Sequence, residues 1–266
     1  MFHVEREARL LSRVIAVVNQ KGGVGKTTTA VNLAAGLALA EQSTLLIDLD
    51  PQGNATTGLG INKSGLRHTI YQVLLGGLPI GETIQPTALP FLGLVPSDID
   101  LVGAEIELVT VDDRERRLKQ EMSAIQDRYR FIIIDCPPSL GLLTLNALAA
   151  AHAALIPLQC EYYAMEGLAH ILKTISLVRD RLNPQLKIEG IVLTMFDGRT
   201  SLATQVKAEV QKHLGTQILT TVIPRNVRLT EAPSYGKPIM LYDLRSVGAA
   251  AYLELTKEVL THECHE

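Results

Sequence analysis

The feature that most constrains this chain is an apolar run at residues 14–19 that leads directly into Gln-Lys-Gly-Gly-Val-Gly-Lys-Thr-Thr at residues 20–28. A pattern of helical period starts at Lys26. A strand, a glycine-rich loop and a helix in this order are typical of a P-loop. In such a loop, backbone N–H groups turn onto phosphate oxygens and the helix N-terminus adds the positive end of its dipole. The sequence therefore predicts a site for the phosphates of a nucleotide.

The loop also predicts individual roles. Lys26 is expected to reach the β- and γ-phosphates, and Thr27 to place its hydroxyl on Mg²⁺. The loop departs from the usual P-loop pattern, because Gln20 stands in place of the first glycine and a second lysine, Lys21, lies inside the loop. The surrounding strand and helix still favour phosphate binding over a chance glycine-rich turn.

Acidic residues end two of the apolar runs. Asp48 and Asp50 close the run at 44–50, and Asp135 closes the run at 131–136. Ligands bind outside the carboxyl ends of strands in open parallel sheets. We expect at most one of Asp48 and Asp50 to face the phosphate loop directly, and Asp135 to orient Mg²⁺ or its water shell. Cys136 is interpreted as a packed small residue rather than a reactive thiol.

Short, continuously apolar runs alternate with segments of helical period along the chain. This pattern predicts an α/β fold, a doubly wound and mostly parallel β-sheet flanked by helices. Strands are predicted at 14–19, 44–50, 91–96, 131–136, 153–159, 188–195 and 218–223, and helices at 26–39, 114–127, 142–151, 165–181, 202–214 and 247–260. We expect an N-terminal extension at 1–12, a single domain at 13–262 and a tail at 263–266, with 51–90 as an extended insertion.

Composition narrows the class of protein. The chain has 266 residues, of which 47% are hydrophobic and 20% charged, which excludes a disordered or repeat-polymer chain. Its 3 cysteines are too scattered for a disulfide framework or a paired zinc site, so a reducing cytosol is expected. No apolar run approaches the roughly 18–20 residues that span a bilayer. The net charge is -3, yet residues 179–245 carry 10 Lys and Arg against 6 Asp and Glu.

Three segments together resemble the deviant Walker A ATPases. They are Lys-Gly-Gly-Val-Gly-Lys-Thr at 21–27, Asp-Leu-Asp-Pro-Gln-Gly-Asn at 48–54 and Asp-Cys-Pro-Pro-Ser-Leu-Gly at 135–141. Within that group the chain is similar to the ParA/Soj family of chromosome and plasmid partitioning proteins. The likeness continues through 193–200 and 222–237, and it covers about 14–260.

The resemblance implies a homodimer in the ATP state, in which two subunits sandwich two ATP molecules with Mg²⁺. Lys21 would reach across to the partner's phosphates, and Gly22 would allow the two loops to approach. Asp50 would position the attacking water, and Asp48 would lie near Mg²⁺ behind its direct ligands. The implied ATP-binding residues are Lys21, Gly22, Gly23, Val24, Gly25, Lys26, Thr27 and Thr28, with Pro224 and Asn226 holding the adenine.

The resemblance also implies partners. Arg199 and Arg228 would belong to a surface that binds double-stranded DNA without sequence preference in the dimer, and both lie in the basic segment 179–245. A ParB-like centromere-binding protein would stimulate hydrolysis and release. The expected location is cytoplasmic and associated with the nucleoid. Ordinary solvated surface charges remain the alternative for the two arginines.

Other members of the wider group differ in ways that the sequence shows. MinD-like proteins bind membranes through a basic C-terminal helix, whereas this chain ends in an acidic segment, so no membrane anchor is expected. Nitrogenase iron proteins need two cluster cysteines, and neither Cys136 nor Cys160 has a matching context. Because only a short segment precedes Val14, no N-terminal helix-turn-helix domain is expected. His262, Cys264 and His265 are expected to form a frayed tail rather than a metal site.

Two further functions stay open from the sequence alone. The chain would fit an ATPase that positions a cargo other than DNA, or an ATP-dependent scaffold that coats DNA. A water-positioning carboxylate at Asp50 favours hydrolysis as part of the function, because a pure scaffold has no need of one.

Overall fold

The computed structural model describes residues 12–162 and 164–262. Eight strands form one sheet in the order β3-β4-β2-β5-β1-β6-β7-β8, parallel throughout except for β3 at one edge. The strands are β1 (Arg13–Val17), β2 (Thr44–Asp48), β3 (Gln85–Pro86), β4 (Leu92–Val95), β5 (Phe131–Asp135), β6 (Ala153–Gln159), β7 (Lys187–Phe196) and β8 (Ile218–Pro224). The helices are α1 (Lys26–Leu39), α2 (Asn54–Gly58), α3 (Ile70–Leu74), α4 (Leu101–Glu107), α5 (Arg117–Met122), α6 (Leu142–Ala150), α7 (Ala164–Arg181), α8 (Ser201–Leu214), α9 (Val227–Glu231), α10 (Ile239–Tyr242) and α11 (Val247–Thr261).

Both faces of the central strands are buried. Along β1, Val14 and Ala16 belong to one apolar cluster, and Ile15 and Val17 belong to another. Helices α3 to α8 cover the first face, while α1, α2 and α9 to α11 cover the second. Continuous apolar runs are what strands need when both of their faces pack against helices. The α/β fold class predicted from the sequence is therefore confirmed.

Helices α1 and α11 approach each other closely on the second face. A side chain at Gly36 of α1 would overlap the hydroxyl of Thr256 of α11, so only glycine permits this spacing. One turn earlier on α11, the buried Tyr252 hydroxyl lies 3.2 Å from the hydroxyl of Thr29 on α1. The helix that follows the phosphate loop is thus fixed against the last helix of the fold.

One predicted helix is interrupted. The sequence pattern predicts a helix over 114–127, but the structure has α5 flanked by the short 3₁₀ turns Arg114–Arg116 and Gln126–Arg128. Asn146 of α6 causes the first break, because its side-chain oxygen accepts from the N–H of Leu118 while its amide donates to the carbonyl of Arg114. In a continuous helix those two backbone groups would pair with each other. The buried amide takes the place of that hydrogen bond.

The segment 51–90 is more structured than an extended insertion. It contains α2, α3 and β3, and the α3 side chains Ile70, Val73 and Leu74 are buried in the first cluster. A capping box begins α3, in which Thr69 and Gln72 satisfy each other's backbone N–H groups. Thr-x-x-Gln before an apolar run is a local signal of a helix start, which the Gly and Pro content of the segment obscures.

Some expectations concern the ends of the chain. Residues 1–11 and 263–266 lie outside the described residues, and so do Cys264 and His265. The division into an extension, one domain and a tail therefore stays a prediction. Among residues 12–162 and 164–262, none of the helices combines the length and the hydrophobicity of a membrane span. The same residues contain no group of three or more His, Cys, Asp or Glu side chains arranged to hold a metal.

Candidate nucleotide site

The loop between β1 and α1 has the backbone shape of a phosphate-binding loop. Gly23 and Gly25 have positive φ angles of 72° and 87°, a region that favours glycine. Gly25 precedes α1, and no side chain caps the first turn of that helix. The N–H groups of this turn therefore keep their capacity to bind an anion, and the helix dipole adds to it.

Contacts with two neighbouring strands hold the loop in place. The Asn19 amide donates to the carbonyl of Pro157 in β6 at 2.7 Å, and its oxygen accepts from the N–H of Lys21 at 3.0 Å. The Thr194 hydroxyl at the end of β7 donates to the carbonyl of Val24 at 2.8 Å. The loop is thus preformed by buried hydrogen bonds from the strand ends.

Lys26 is the buried one of the two lysines in this loop. It is only 6% exposed, and its ammonium donates to the carbonyl of Lys21 at 3.0 Å. Burial lowers the pKa of Lys26, while the negative charges of Asp135 and Asp50 act in the opposite direction. The side chain lines the same cavity as Thr27 and Asp50, which is the position that a phosphate-binding lysine requires.

Asp135 ends β5 next to the loop, with the Thr27 hydroxyl close to its carboxylate. Its side chain is fully buried, and neither of its oxygens has a hydrogen-bond partner among the described residues. Burial, and then the charge of Asp48, raise the pKa of Asp135 well above its usual range, while the nearby Thr27 hydroxyl and Lys26 act in the opposite direction. A buried carboxylate without partners is costly unless a cation compensates it. A carboxylate and a hydroxyl beside a phosphate site are ligands that suit Mg²⁺, so the residues present fit that ion.

Asp48 lies next to Asp135 in the sheet but has its own partners. One oxygen accepts from the N–H and the hydroxyl of Thr56, both at 2.7 Å, and the other accepts from the N–H of Asp50 at 3.2 Å. Burial raises the pKa of Asp48 to about 6, although the Thr56 hydrogen bonds oppose that shift. Asp48 therefore anchors the start of α2 and the loop before it. Its role near Mg²⁺ stays a prediction.

Asp50 follows the end of β2 and lines the cavity, which Asp48 does not. One of its carboxylate oxygens accepts from the N–H of Gln52 at 2.9 Å, and its carbonyl accepts from the N–H of Gly53 at 2.8 Å. The Lys63 ammonium donates to the carbonyl of Gln52 at 2.7 Å. The turn that presents Asp50 is thus held by its own backbone and by Lys63.

The cavity has a volume of about 470 Å³ and extends from the loop to the ends of β7 and β8. It brings together the predicted residues Gly22, Gly23, Gly25, Lys26, Thr27, Thr28, Asp50, Pro224 and Asn226. The Asn226 oxygen accepts from the N–H of Arg228 at 2.9 Å and so caps α9. A pocket of this size is typical of small-molecule and cofactor sites.

Sequence reasoning did not assign several residues that line this cavity. They include Gln52, Asn54, Pro138, Thr194, Met195, Arg225, Leu229, Thr230 and Tyr252. Thr194 and Met195 stand at the end of the predicted strand 188–195, so the rule that ligands bind at strand carboxyl ends would have found them. Tyr252 gives no such signal, because a helix far along the chain carries it to the site.

Of the two residues expected at the dimer interface, Gly22 lines the cavity and Lys21 does not. The Lys21 ammonium pairs with the Glu161 carboxylate, and both side chains are partly exposed. A Cβ atom at Gly22 would meet nothing within 4 Å in this chain. The interface roles of Lys21 and Gly22 stay predictions.

The two arginines expected to bind DNA do not line the cavity and are paired with neighbouring acidic side chains. Two nitrogens of the exposed Arg199 guanidinium, Nε and Nη2, donate to the two oxygens of the Asp197 carboxylate at 2.8 and 2.7 Å. These hydrogen bonds lower the pKa of Asp197 to about 2. Arg228 pairs with Glu231 at 2.8 Å and with Asp243 at 3.4 Å. The DNA-binding roles of both arginines stay predictions.

The fold is an α/β fold with a mostly parallel sheet, and its first strand leads into a glycine-rich loop that carries two lysines. Aspartates end the neighbouring strands β2 and β5 next to this loop. These features define a P-loop ATPase of the deviant Walker A type. The family model for an AAA domain matches residues 12–188. The chain is 56% identical to the chromosome partitioning protein ParA of Myxococcus xanthus over 97% of this chain and 92% of the relative. It is 55% identical to the sporulation initiation inhibitor protein Soj of Bacillus subtilis, over 94% of this chain and 98% of that relative.

Solved structures agree with this class. A cobyrinic acid a,c-diamide synthase from Mycobacterium smegmatis, solved with an ATP analogue and magnesium, shares 39% of the sequence with a TM-score of 0.84, over 94% of this chain and 95% of that chain. The chain belongs to the ParA/Soj family of chromosome partitioning ATPases, within the MinD/ParA superfamily.

Proposed function

We propose that this chain is a Mg²⁺-dependent ATPase that dimerises around ATP, binds DNA without sequence preference in that state and drives chromosome or plasmid segregation. The observation that carries the proposal is the buried Asp135 carboxylate, which has no described partner and lies beside Thr27 and Lys26 under a preformed loop. Two relatives that are more than half identical are named chromosome partitioning protein ParA, which supports the proposal.

The chemistry follows from the charges in the cavity. Lys26 and the N–H groups of the first turn of α1 bind the phosphates and stabilise the charge that develops on them during transfer. Thr27 and Asp135 would hold Mg²⁺, with Asp48 behind them. When bound, Mg²⁺ neutralises phosphate charge and fixes the phosphate oxygens. Asp50, presented by its hydrogen-bonded turn, positions the attacking water.

Dimerisation completes the site. Lys21 leaves Glu161 and places a second ammonium on the partner's phosphates, as an arginine finger does. Gly22 lets the loops approach, and the open space around it supports this role, because nothing in this chain requires a glycine there. Each bound ATP therefore contacts both subunits, and these contacts stabilise the dimer.

DNA binding and release complete the cycle. A dimer doubles the number of phosphate contacts that the basic segment 179–245 makes, with Arg199 and Arg228 on its surface, and such binding falls steeply with salt. A ParB-like centromere-binding protein stimulates hydrolysis and returns the protein to monomers. The protein acts in the cytoplasm, on the nucleoid.

The experiment is binding of the purified chain to random-sequence duplex DNA with ATP and with ADP, at low and at physiological salt. Salt-sensitive binding with ATP only is the expected result. Gly22→Val is the matched control, since it should bind ATP with an unchanged fold but stay monomeric and leave DNA unbound. Equal DNA binding with ATP and with ADP, or no DNA binding with either nucleotide, contradicts the proposal. Either result favours a function as a DNA-coating scaffold or as an ATPase that positions a cargo other than DNA.

A further inference from the structure

The turn that presents Asp50 is packed tightly against later parts of the chain. Gly53, at the end of this turn, has a positive φ of 58°. A Cβ atom at Gly53 would lie 2.6 Å from the carbonyl oxygen of Ser97 and 2.9 Å from the Cδ atom of Lys63. Only glycine fits against the Ser97 backbone in this conformation, and the stem of Lys63 packs on the same residue.

Lys63 also binds the turn through its ammonium. Its Nζ atom donates to the carbonyl of Gln52 at 2.7 Å. The N–H of the same peptide unit, that of Gly53, donates to the carbonyl of Asp50 at 2.8 Å. A peptide unit is planar, so partners at its oxygen and at its nitrogen together fix its orientation. The two hydrogen bonds also polarise each other through that unit.

Gln52 connects this peptide unit to the carboxylate itself. Its own N–H donates to the Asp50 carboxylate at 2.9 Å, while its carbonyl accepts from Lys63. A rotation of Gln52 would therefore change the direction in which the Asp50 carboxylate points. Lys63 opposes that rotation from outside the cavity, which it does not line.

Lys63 has no other task that the structure shows. It begins the 3₁₀ turn Lys63–Gly65, which buries no side chain. The Asn62 side-chain oxygen caps that turn by accepting from the N–H of Ser64 at 3.1 Å. Lys63 forms no salt bridge within the described part of the chain. Loss of its ammonium should therefore affect the Asp50 turn rather than the fold.

The other end of the same segment is anchored from the interior. Thr56 donates to the buried Asp48 carboxylate through its N–H and its hydroxyl, and the N–H of Ser97 donates to that hydroxyl at 3.0 Å. These buried bonds fix the start of α2. The turn nearest to Asp50 has the surface contact from Lys63 in addition to its own hydrogen bonds.

We propose that Lys63 is a positioning residue for ATP hydrolysis: its ammonium fixes the peptide unit between Gln52 and Gly53, and Gln52 fixes the carboxylate of Asp50. The inference rests on the proposed function, because it needs Asp50 to position the attacking water. A charged donor makes a hydrogen bond roughly twice as strong as a neutral one. Even a modest contact matters here, since a displacement of about 1 Å at a catalytic group costs up to about 100-fold in rate.

Lys63→Met tests the role of the ammonium, because it keeps an unbranched side chain and removes the charged donor. In single turnovers with saturating ATP and Mg²⁺, phosphate release should slow about fivefold, while ATP affinity changes less than about twofold. Lys63→Arg keeps a cationic donor and should retain at least half of the wild-type rate. Lys257→Met, at an exposed lysine of α11, is the matched control and should change neither quantity. An unchanged rate in Lys63→Met, or an equal loss of ATP affinity, overturns the proposal.

A double-mutant cycle tests whether Lys63 acts through Asp50. Adding Lys63→Met to Asp50→Ala should change the residual rate less than about 1.5-fold, because the effect of Lys63 requires the carboxylate. A loss of about fivefold in both backgrounds would show that Lys63 acts by another route, and it overturns the proposal.

Hydrogen exchange of the nucleotide-free chain tests the contact without any hydrolysis. Lys63→Met should speed exchange of the Gly53 N–H at least about threefold, with no change in the urea midpoint of unfolding. Unchanged exchange at Gly53 means that Lys63 does not hold the turn, and it overturns the proposal. A wild-type chain that does not hydrolyse ATP overturns the proposed function as well. A wild-type chain that hydrolyses ATP, with Lys63→Met equally fast, overturns the role of Lys63 alone.

Discussion

The nucleotide site and the basic segment 179–245 hold their charges in different ways. In the nucleotide site, Lys26 and Asp135 are buried, and the strand ends fix the loop around them. In the basic segment, Arg199 and Arg228 are exposed, and each pairs with acidic side chains close by. Buried charges are preorganised for one ligand, whereas exposed pairs are weak and exchange readily. Substitutions in the first region should therefore abolish activity, and those in the second should adjust it.

Lys26→Ala should have the largest effect. The change removes the only lysine side chain that lines the described part of the cavity, so we expect ATP affinity to fall at least about 100-fold. Isothermal titration with ATP and Mg²⁺ measures this. Lys257→Ala, an exposed lysine on α11, is the control and should leave affinity unchanged. Retained ATP binding by Lys26→Ala would mean that the preformed backbone alone holds the phosphates.

Asp50→Ala should reduce hydrolysis while sparing binding. The substitution removes the bond from the Gln52 N–H to the carboxylate, but the bond from the Gly53 N–H to the Asp50 carbonyl and the bond from Lys63 to the Gln52 carbonyl remain. A water-positioning carboxylate contributes roughly 100-fold or more to the rate. Phosphate release should fall by that factor, and sedimentation in saturating ATP should show an accumulated dimer. Asp180→Ala, on the exposed side of α7, is the control. A monomeric Asp50→Ala protein in saturating ATP would count against the dimer.

Asp135→Asn should change the pH dependence of stability without nucleotide. The folded-state pKa of Asp135 is raised, so its contribution to stability is present below the unfolded pKa near 3.8 and is lost as pH rises through the folded pKa. The pKa of Asp48 is raised to about 6, so this carboxyl also lowers stability as pH rises. From pH 4.5 to 7.5 the wild type should therefore lose unfolding free energy relative to the variant, which has no carboxylate at this position to ionise. Urea unfolding at both pH values measures this. An equal change in unfolding free energy with pH in the wild type and the variant would contradict the prediction that a buried Asp135 carboxylate destabilises the fold.

The arginines of the basic segment should show the smallest effects. Arg228→Ala should weaken ATP-dependent DNA binding only about three- to tenfold and lower its salt slope by about one. Asp197→Asn removes the partner of Arg199 and should strengthen DNA binding about twofold. Fluorescence anisotropy across a salt series measures both, with Arg116→Ala outside the segment as the control. A loss of DNA affinity as large as the loss of ATP affinity in Lys26→Ala would contradict the difference proposed between the two regions.

Features carried by adjacent residues could be predicted from the sequence. The phosphate loop and the helix at 26–39 depend on one strand, loop and helix in a row, and the acidic end at Asp135 depends on a single apolar run. The structure has all three features. Features that need two distant segments could not be predicted. The Asn146 amide that interrupts 114–127 and the Tyr252 side chain in the cavity come from helices remote in sequence. Their positions depend on tertiary packing, which no local pattern encodes.

The close contact of Gly36 with Thr256 has a consequence for the order in which the chain is made. The helix that carries the phosphate loop leaves the ribosome early, but its packing partner follows about 220 residues later, which is roughly 10–45 s at ordinary rates of synthesis. During that time α1 exposes the apolar side that α11 covers in the finished fold. The nascent chain is thus a substrate for chaperones until its last helix emerges, and nucleotide binding is a late event in its biogenesis.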